Sequence, residues 1–242
     1  MREGARRFGW ERRPPRPASR REGQWLVGYG MAAAIRMHFQ APTKATVRVG
    51  PDGIAVVRTD MTDIGTGTYT ILTQVAAERL GLPLDRVRVE LGRSEFPVSA
   101  GSGGSFGAAN TSTAVHRACE ALRKELLRSA RNDARSPLHG LGPEQAMFSG
   151  GTVNVGGASE ALTEIVARNH PEGVETEGEI LSMRDDPNYN AYSIHTYGAH
   201  FAEVGVDVDT AEIRLRRMLG VFAASRILNA KTARSQLIGG MT

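Results

Sequence analysis

Thr62-Asp63-Ile64-Gly65-Thr66-Gly67-Thr68 runs directly into residues 69–80. The latter carry apolar side chains at Ile71, Leu72, Val75, Ala76 and Leu80, the spacing of one helical face. Gly81, with Pro83 just beyond, predicts where that helix stops. The glycines ahead of the helix let the backbone approach a ligand closely, and the helix start offers unpaired N–H groups and a positive dipole end, a setting for phosphate. The same residues also read as a tight turn with Thr66 or Thr68 capping the helix. No Gly-Lys-Ser/Thr appears, so the loop is not a P-loop. A second loop of this kind, Ser102-Gly103-Gly104-Ser105-Phe106-Gly107, leads into a longer amphipathic helix over about 108–130, with Val115, Ala118, Cys119, Leu122 and Leu126 on its face. Either loop alone is weak evidence. Two of them, about 35 residues apart and each feeding a helix, point to one extended anionic ligand such as a pyrophosphate-containing cofactor.

Outward from these loops, residues 43–49 and 54–59 alternate apolar and polar around Gly50-Pro51-Asp52-Gly53, which predicts a hairpin. Residues 87–91, 174–183, 198–208 and 213–221 read as strands. Met147-Phe148 and 153–155 bracket a further hairpin turn, 162–167 is a short helix, and a helix begins near Thr232. The apolar run over 24–39 fits a buried strand or a helix. Within it Gly28-Tyr29-Gly30-Met31-Ala32-Ala33 matches G-x-G-x-x-A, with Asp52 about 20 residues on, as a dinucleotide fingerprint requires. A turn between paired strands explains Asp52 equally, and 34–40 is short for a crossover helix. Strands and helices mix without strict alternation, so the fold class is α+β, with mixed sheets and flanking helices.

The chain has 242 residues, 40% apolar and 23% charged, which is enough for a sizeable core and too polar for a membrane span. Its net charge of +4 is local: residues 1–21 hold eight Arg and two Glu, net +6, and the remainder is net −2. Pro14, Pro15 and Pro17 interrupt that basic segment, so residues 1–23 read as a linker that opens with a short helix over 2–8 rather than as a recognition helix, and no nucleic-acid partner is expected. One cysteine, Cys119, excludes a disulfide framework and multi-cysteine metal sites. His195 and His200 fall on opposite faces of a strand, and Cys119, three residues from His116, sits on the apolar stripe. The chain thus has cradles for a ligand and few side chains to act on one. A non-catalytic nucleotide- or anion-binding module is the alternative reading.

Residues 63–68, the Ser-Gly-Gly-Ser loop at 102–105, Gly198-Ala199-His200-Phe201-Ala202-Glu203-Val204 and the run from Arg226 to Gly240 together resemble the molybdenum-binding large subunit of the xanthine dehydrogenase/aldehyde oxidase family. The resemblance spans essentially the whole chain and is nearest to bacterial three-subunit aldehyde dehydrogenases. It implies the second molybdopterin-binding domain over 24–242. By matching positions, Ile64, Gly65, Thr66 and Gly67 would contact the molybdopterin; Gly104, Ser105, Phe106 and Gly107 would hold its pterin and phosphate end; Gln236 would stand beside the metal centre. The cofactor would be molybdopterin cytosine dinucleotide, and partner subunits would carry 2Fe-2S clusters and FAD. The implied reaction is hydroxylation of an aldehyde or N-heterocycle with oxygen from water, in the cytoplasm or, after export on a partner's signal, the periplasm.

The chain departs from the family pattern. Thr62 stands where a Gln is usual, Val221 to Ser225 where an Asp and a Gly are usual, and Ala230 where a Pro is usual. The family's glutamate base would lie beyond Thr242, so no catalytic or metal-ligating residue is assigned. The chain is expected to be an internal fragment or a degenerate copy, inactive alone.

Overall fold

The computed structural model describes residues 1–143 and 146–242, and these form two compact units. The first comprises Met1–His38, Tyr192–Ile227 and Ile238–Thr242; the second comprises Phe39–Ala191 and Leu228–Leu237.

The chain opens with α1 (Arg2–Phe8), which has Glu3 in its first turn and Arg6 and Arg7 in its last, the arrangement the helix dipole favours. Gly9, at φ +77°, ends it. Strand β1 (Arg21–Glu22) then pairs with the start of β2 (Trp25–Met37). After the excursion into the second unit, β10 (His195–Asp207) and β11 (Ile213–Ala223) complete an antiparallel sheet in the order β1-β2-β10-β11. Phe8 is buried against Phe201, with ring centroids 5.5 Å apart, and Trp10 meets the same ring edge-on. Residues 1–23 thus contribute the expected short helix, packed through an aromatic anchor, and after the Pro-rich stretch an edge strand. The Gly28–Ala33 stretch lies inside β2, with Gly28 opposite Val204 and Ala33 opposite Ala199 of an antiparallel neighbour. A dinucleotide fingerprint needs a strand-to-helix turn in a parallel sheet, so that reading fails. Nor is β2 buried: Gly30 to Met37 are exposed.

The second unit begins with β3 (Thr43–Val49) and β4 (Ala55–Thr59), the expected hairpin. Asp52 serves its turn, where Oδ1 accepts the Ile54 N–H at 3.1 Å. Helix α2 (Thr68–Leu80) crosses over to β5 (Val87–Leu91), which lies parallel to β4. Helix α3 (Gly107–Asn132) follows, then a three-stranded antiparallel sheet of β6 (Met147–Ser149), β7 (Thr152–Val155) and β8 (Ala158–Ala161). Helix α4 (Leu162–Asn169) leads to β9 (Val174–Ile180), which closes the main sheet in the order β5-β4-β3-β9. After β11 the chain returns with α5 (Ala230–Gly239).

The alternation in β3 and β4 turns Ala45, Val47, Val49, Ala55 and Val57 onto α2 and α3, whose Leu72, Leu80, Leu122 and Leu126 are wholly buried. The opposite sheet face carries ion pairs such as Lys44–Glu177 at 2.9 Å and Arg58–Glu90 at 2.8 Å. Burying one such Leu stabilises by about 1.5–3 kcal/mol, and an exposed pair by about 0–1 kcal/mol, so the helix–sheet seam holds the unit. Among the described residues no helix is long and apolar enough to cross a membrane.

Candidate functional site

Both glycine loops belong to the second unit, and they touch. Loop 62–68 joins β4 to α2, and the 92–106 connection joins β5 to α3. Since β4 and β5 are parallel neighbours, both connections leave from the same end of the sheet. Side chains then tie them. The Asp60 carboxylate accepts the Ser99 N–H at 2.6 Å, Asp60 N–H donates to the Pro97 carbonyl at 2.9 Å, and the Ser102 hydroxyl donates to the Thr62 carbonyl. Beneath them the Met61 side chain is buried against Gly107; a Cβ at 107 would lie 2.4 Å from the Met61 methyl and 3.1 Å from the Gly101 carbonyl oxygen.

Within the first loop Gly65 and Gly67 adopt φ +90° and +91°, conformations that disfavour any side chain. Gly67 is the N-cap of α2 and makes no side-chain cap. Asp63 does that work instead: Oδ1 accepts the N–H groups of Gly65 at 2.8 Å and Thr66 at 3.1 Å, and Oδ2 accepts that of Tyr69 at 3.3 Å. Neither Thr66 nor Thr68 caps the helix, and three N–H groups of this loop and helix start already hold a carboxylate. The exposed surface of this loop is the Ile64 side chain, at 67% exposure, with the Gly65 backbone.

The second loop is built otherwise. Gly104 and Ser105 have φ +47° and +58°, then Phe106 is right-handed at φ −107°, ψ −18° and caps α3. A non-glycine residue at positive φ is uncommon and clusters at ligand clamps. The Phe106 N–H donates to the Gly103 carbonyl at 3.2 Å, and the first helical bond is Asn110 N–H to the Phe106 carbonyl. The N–H groups of Gly107, Ala108 and Ala109 therefore have no helical acceptor and carry the positive end of the α3 dipole. Of the two loops, this one suits an anion. The Phe106 ring rests on Phe39, centroids 5.4 Å apart.

Helix α5 supplies the third part. Asn229 caps it, accepting the N–H groups of Lys231 and Thr232 on Oδ1, both at 3.0 Å. Asn229 Nδ2 donates to Gln74 Oε1 of α2 at 3.0 Å, Leu228 packs on the main core, and the Thr232 methyl would lie 2.8 Å from a Cβ at Gly67. Gln236 is exposed one turn beyond Thr232 on the same helical face. The structure thus gathers Ile64, Gly65, Thr66 and Gly67, the 104–107 loop and the α5 segment in one unit. Asp63, Ser102, Gln74 and Asn229 carry the arrangement without having been assigned a role from sequence. Asp two residues before a glycine, and Asn directly before a helix, were the available signals.

The remaining candidates lie elsewhere. Burial pushes the Cys119 thiol up to about 12, so it stays protonated inside the core and His116 gains no thiolate neighbour. His200 packs edge-on against Phe222, with centroids 5.2 Å apart.

Two adjacent glycine loops, each opening a helix on an α+β frame, define a domain that cradles an extended cofactor. The chain belongs to the molybdopterin cofactor-binding domain family, whose model matches residues 3–242. It is similar to the aldehyde oxidoreductase molybdenum-binding subunit PaoC of Escherichia coli O157:H7, at 47% identity over 243 residues covering 100% of this chain and 31% of that protein. It is also similar to the probable hypoxanthine oxidase XdhD of Escherichia coli K12, at 25% identity over 99% of this chain and 24% of that protein. The chain therefore spans about a third or less of these curated relatives. Among solved structures it shares its fold with quinoline 2-oxidoreductase from Pseudomonas putida 86 (TM-score 0.75, 22% identity, covering 90% of this chain and 29% of that one). It shares it likewise with reconstituted CO dehydrogenase from Oligotropha carboxidovorans (TM-score 0.76, 19% identity, 100% of this chain and 30% of that one).

Proposed function

We propose that this chain forms one part of the cofactor cradle in the large subunit of a molybdenum hydroxylase that oxidises an aldehyde or N-heterocycle with oxygen derived from water. The observation that carries the reading is the hydrogen-bonded contact of loops 62–68 and 102–107, with α5 docked on the first. The residues fit an extended anionic cofactor: positive-φ glycines bring backbone close, a Cβ at Gly107 would crowd the Gly101 carbonyl oxygen at 3.1 Å, and α3 offers N–H groups at its start. The 47% identity to an aldehyde oxidoreductase subunit favours an aldehyde.

In this reading Gly104, Ser105, Phe106 and Gly107 hold the phosphate end of the molybdopterin, in its cytosine dinucleotide form. Ile64, Gly65, Thr66 and Gly67 contact the molybdopterin away from that end, because the Asp63 carboxylate, which accepts three N–H groups there, would repel a second anion. Gln236 would stand beside the metal centre, its amide able to donate or accept a hydrogen bond there. When bound, the cofactor supplies the two-electron redox chemistry; the chain orients it and excludes water. The base is supplied by a residue not assigned in this chain, and an iron–sulfur subunit and an FAD subunit take the electrons, in the cytoplasm or, after export on a partner's signal, the periplasm. The Asp63 carboxylate is committed to backbone N–H groups and no other residue is assigned as a base, so the chain alone is expected to give no turnover.

The test is to co-produce the chain with the rest of a large subunit and its partners, then assay molybdenum and the CMP released by acid. One CMP per molybdenum is expected, and molybdenum without CMP overturns the dinucleotide assignment. Aldehyde oxidation by the isolated chain with added cofactor, above a protein-free control, overturns the division of labour. A simple nucleotide bound at 102–107 with no uptake of molybdopterin would establish the non-catalytic alternative.

A further inference from the structure

We infer that the Gln74–Asn229 hydrogen bond is the register pin of the cradle, and that Gln74 and Asn229 are positioning residues which set Gln236 against loop 62–68. This inference rests on the function proposed above.

Three observations converge. Asn229 Oδ1 is committed to two backbone N–H groups of α5, which fixes the amide and leaves only Nδ2 to reach outward. That nitrogen meets Gln74 Oε1 at 3.0 Å, on a helix whose own first turn begins at the Gly67 loop. One turn from Asn229 the Thr232 methyl presses where a Gly67 side chain would be, at 2.8 Å. A single asparagine therefore both starts α5 and joins it to α2. The pin and the Gly67–Thr232 contact hold the two helices at two points, which resists sliding of α5 along α2. Gln236 follows Thr232 by one turn, so its placement is set by the same two points.

Hydrogen exchange on the whole chain without cofactor tests the mechanical part. Gln74→Leu removes the acceptor and leaves the Asn229 cap intact. It is expected to speed exchange in residues 62–68 and 231–237 by about fivefold to tenfold, the worth of one hydrogen bond, and to leave α3 unchanged. Gln74→Glu keeps an acceptor and adds a negative charge near the α5 start, so it should restore the slow exchange. Unchanged exchange in Gln74→Leu, or loss in Gln74→Glu equal to that in Gln74→Leu, overturns the pin. Should Gln74→Leu not fold, Asn229→Ser keeps a capping oxygen without the outward donor and is read in the same way. Molybdenum content of the assembled large subunit tests the functional part. Wild type loads, Gln74→Leu falls severalfold, and Gln74→Glu recovers. Equal loading of wild type and Gln74→Leu overturns the positioning role and leaves the proposed function standing. No loading of wild type overturns the proposed function and this inference with it.

Discussion

At the residue scale the tightest constraint in the molecule is a glycine in neither loop. A Cβ on Gly178 of β9 would lie 2.1 Å from the Ala114 carbonyl oxygen and 2.3 Å from the Ala118 nitrogen, both backbone atoms of α3. Helix and strand cannot part without lifting α3 from the sheet that Val115, Leu122 and Leu126 cover. Gly178→Ala should therefore cost about 3 kcal/mol, at the upper end of overpacking substitutions, seen as a lower urea midpoint at unchanged slope. A loss below about 0.5 kcal/mol would mean that α3 is not held that close. Because α3 carries the 104–107 loop at its start, this glycine sets the cradle's depth from more than two turns away.

At the scale of elements, the end of α3 is tied to the small three-stranded sheet and α4 by one arginine. Arg168 Nε donates to Asp133 Oδ2 at 2.8 Å, and its Nη2 donates to Glu160, whose buried carboxylate also accepts the Ser136 hydroxyl at 2.6 Å. The Arg168 bond, then the Arg135 N–H, hold the Asp133 carboxyl well below the usual carboxylate range. A depressed folded-state value contributes stability above the unfolded value of about 3.9, and that contribution is lost as pH falls through the folded one. Asp133→Asn should thus unfold at lower urea than wild type at neutral pH, and the gap should narrow as pH drops below about 4. A gap that stays constant down to the acid transition would show that the pairing with Arg168 is not what stabilises this corner.

At the scale of the whole molecule, the first unit depends on its opening helix. Phe8 is 3% exposed and stacks on the fully buried Phe201, and Gly4 lets α1 lie close to that ring. Phe8→Ala should cost about 3–4 kcal/mol by cavity formation and speed exchange along β10 at Ala199 and Phe201. Exchange there at the wild-type rate would place residues 1–9 outside the fold. A short helix over residues 2–8 was legible in the sequence, but nothing local gave it a reason to dock, because Phe201 lies nearly two hundred residues away. The hairpin at 43–59, the α2 stripe and the α3 stripe were legible for the converse reason: alternation and helical periodicity are local. The strand β2 was ambiguous because its small residues carry neither period clearly.

For the site, the amino-acid sequence by itself determined where the backbone bends: Gly65, Gly67 and Gly104 sit where a side chain is strained, Gly107 where one would be crowded, and each loop precedes a strong helical stripe. The motifs along the chain also resembled one cofactor family, and the family match bears that out. Only the tertiary structure decided which loop can take an anion. Asp63 reads from sequence as one more polar loop residue, yet folded it places a carboxylate on three N–H groups of the first loop and helix start, while the N–H groups of Gly107, Ala108 and Ala109 at the α3 start have no helical acceptor. Likewise Gln74 and Asn229 are ordinary amides until α2 and α5 are brought together. Hydrogen-bond donors are counted by distance in space, which local sequence pattern does not encode.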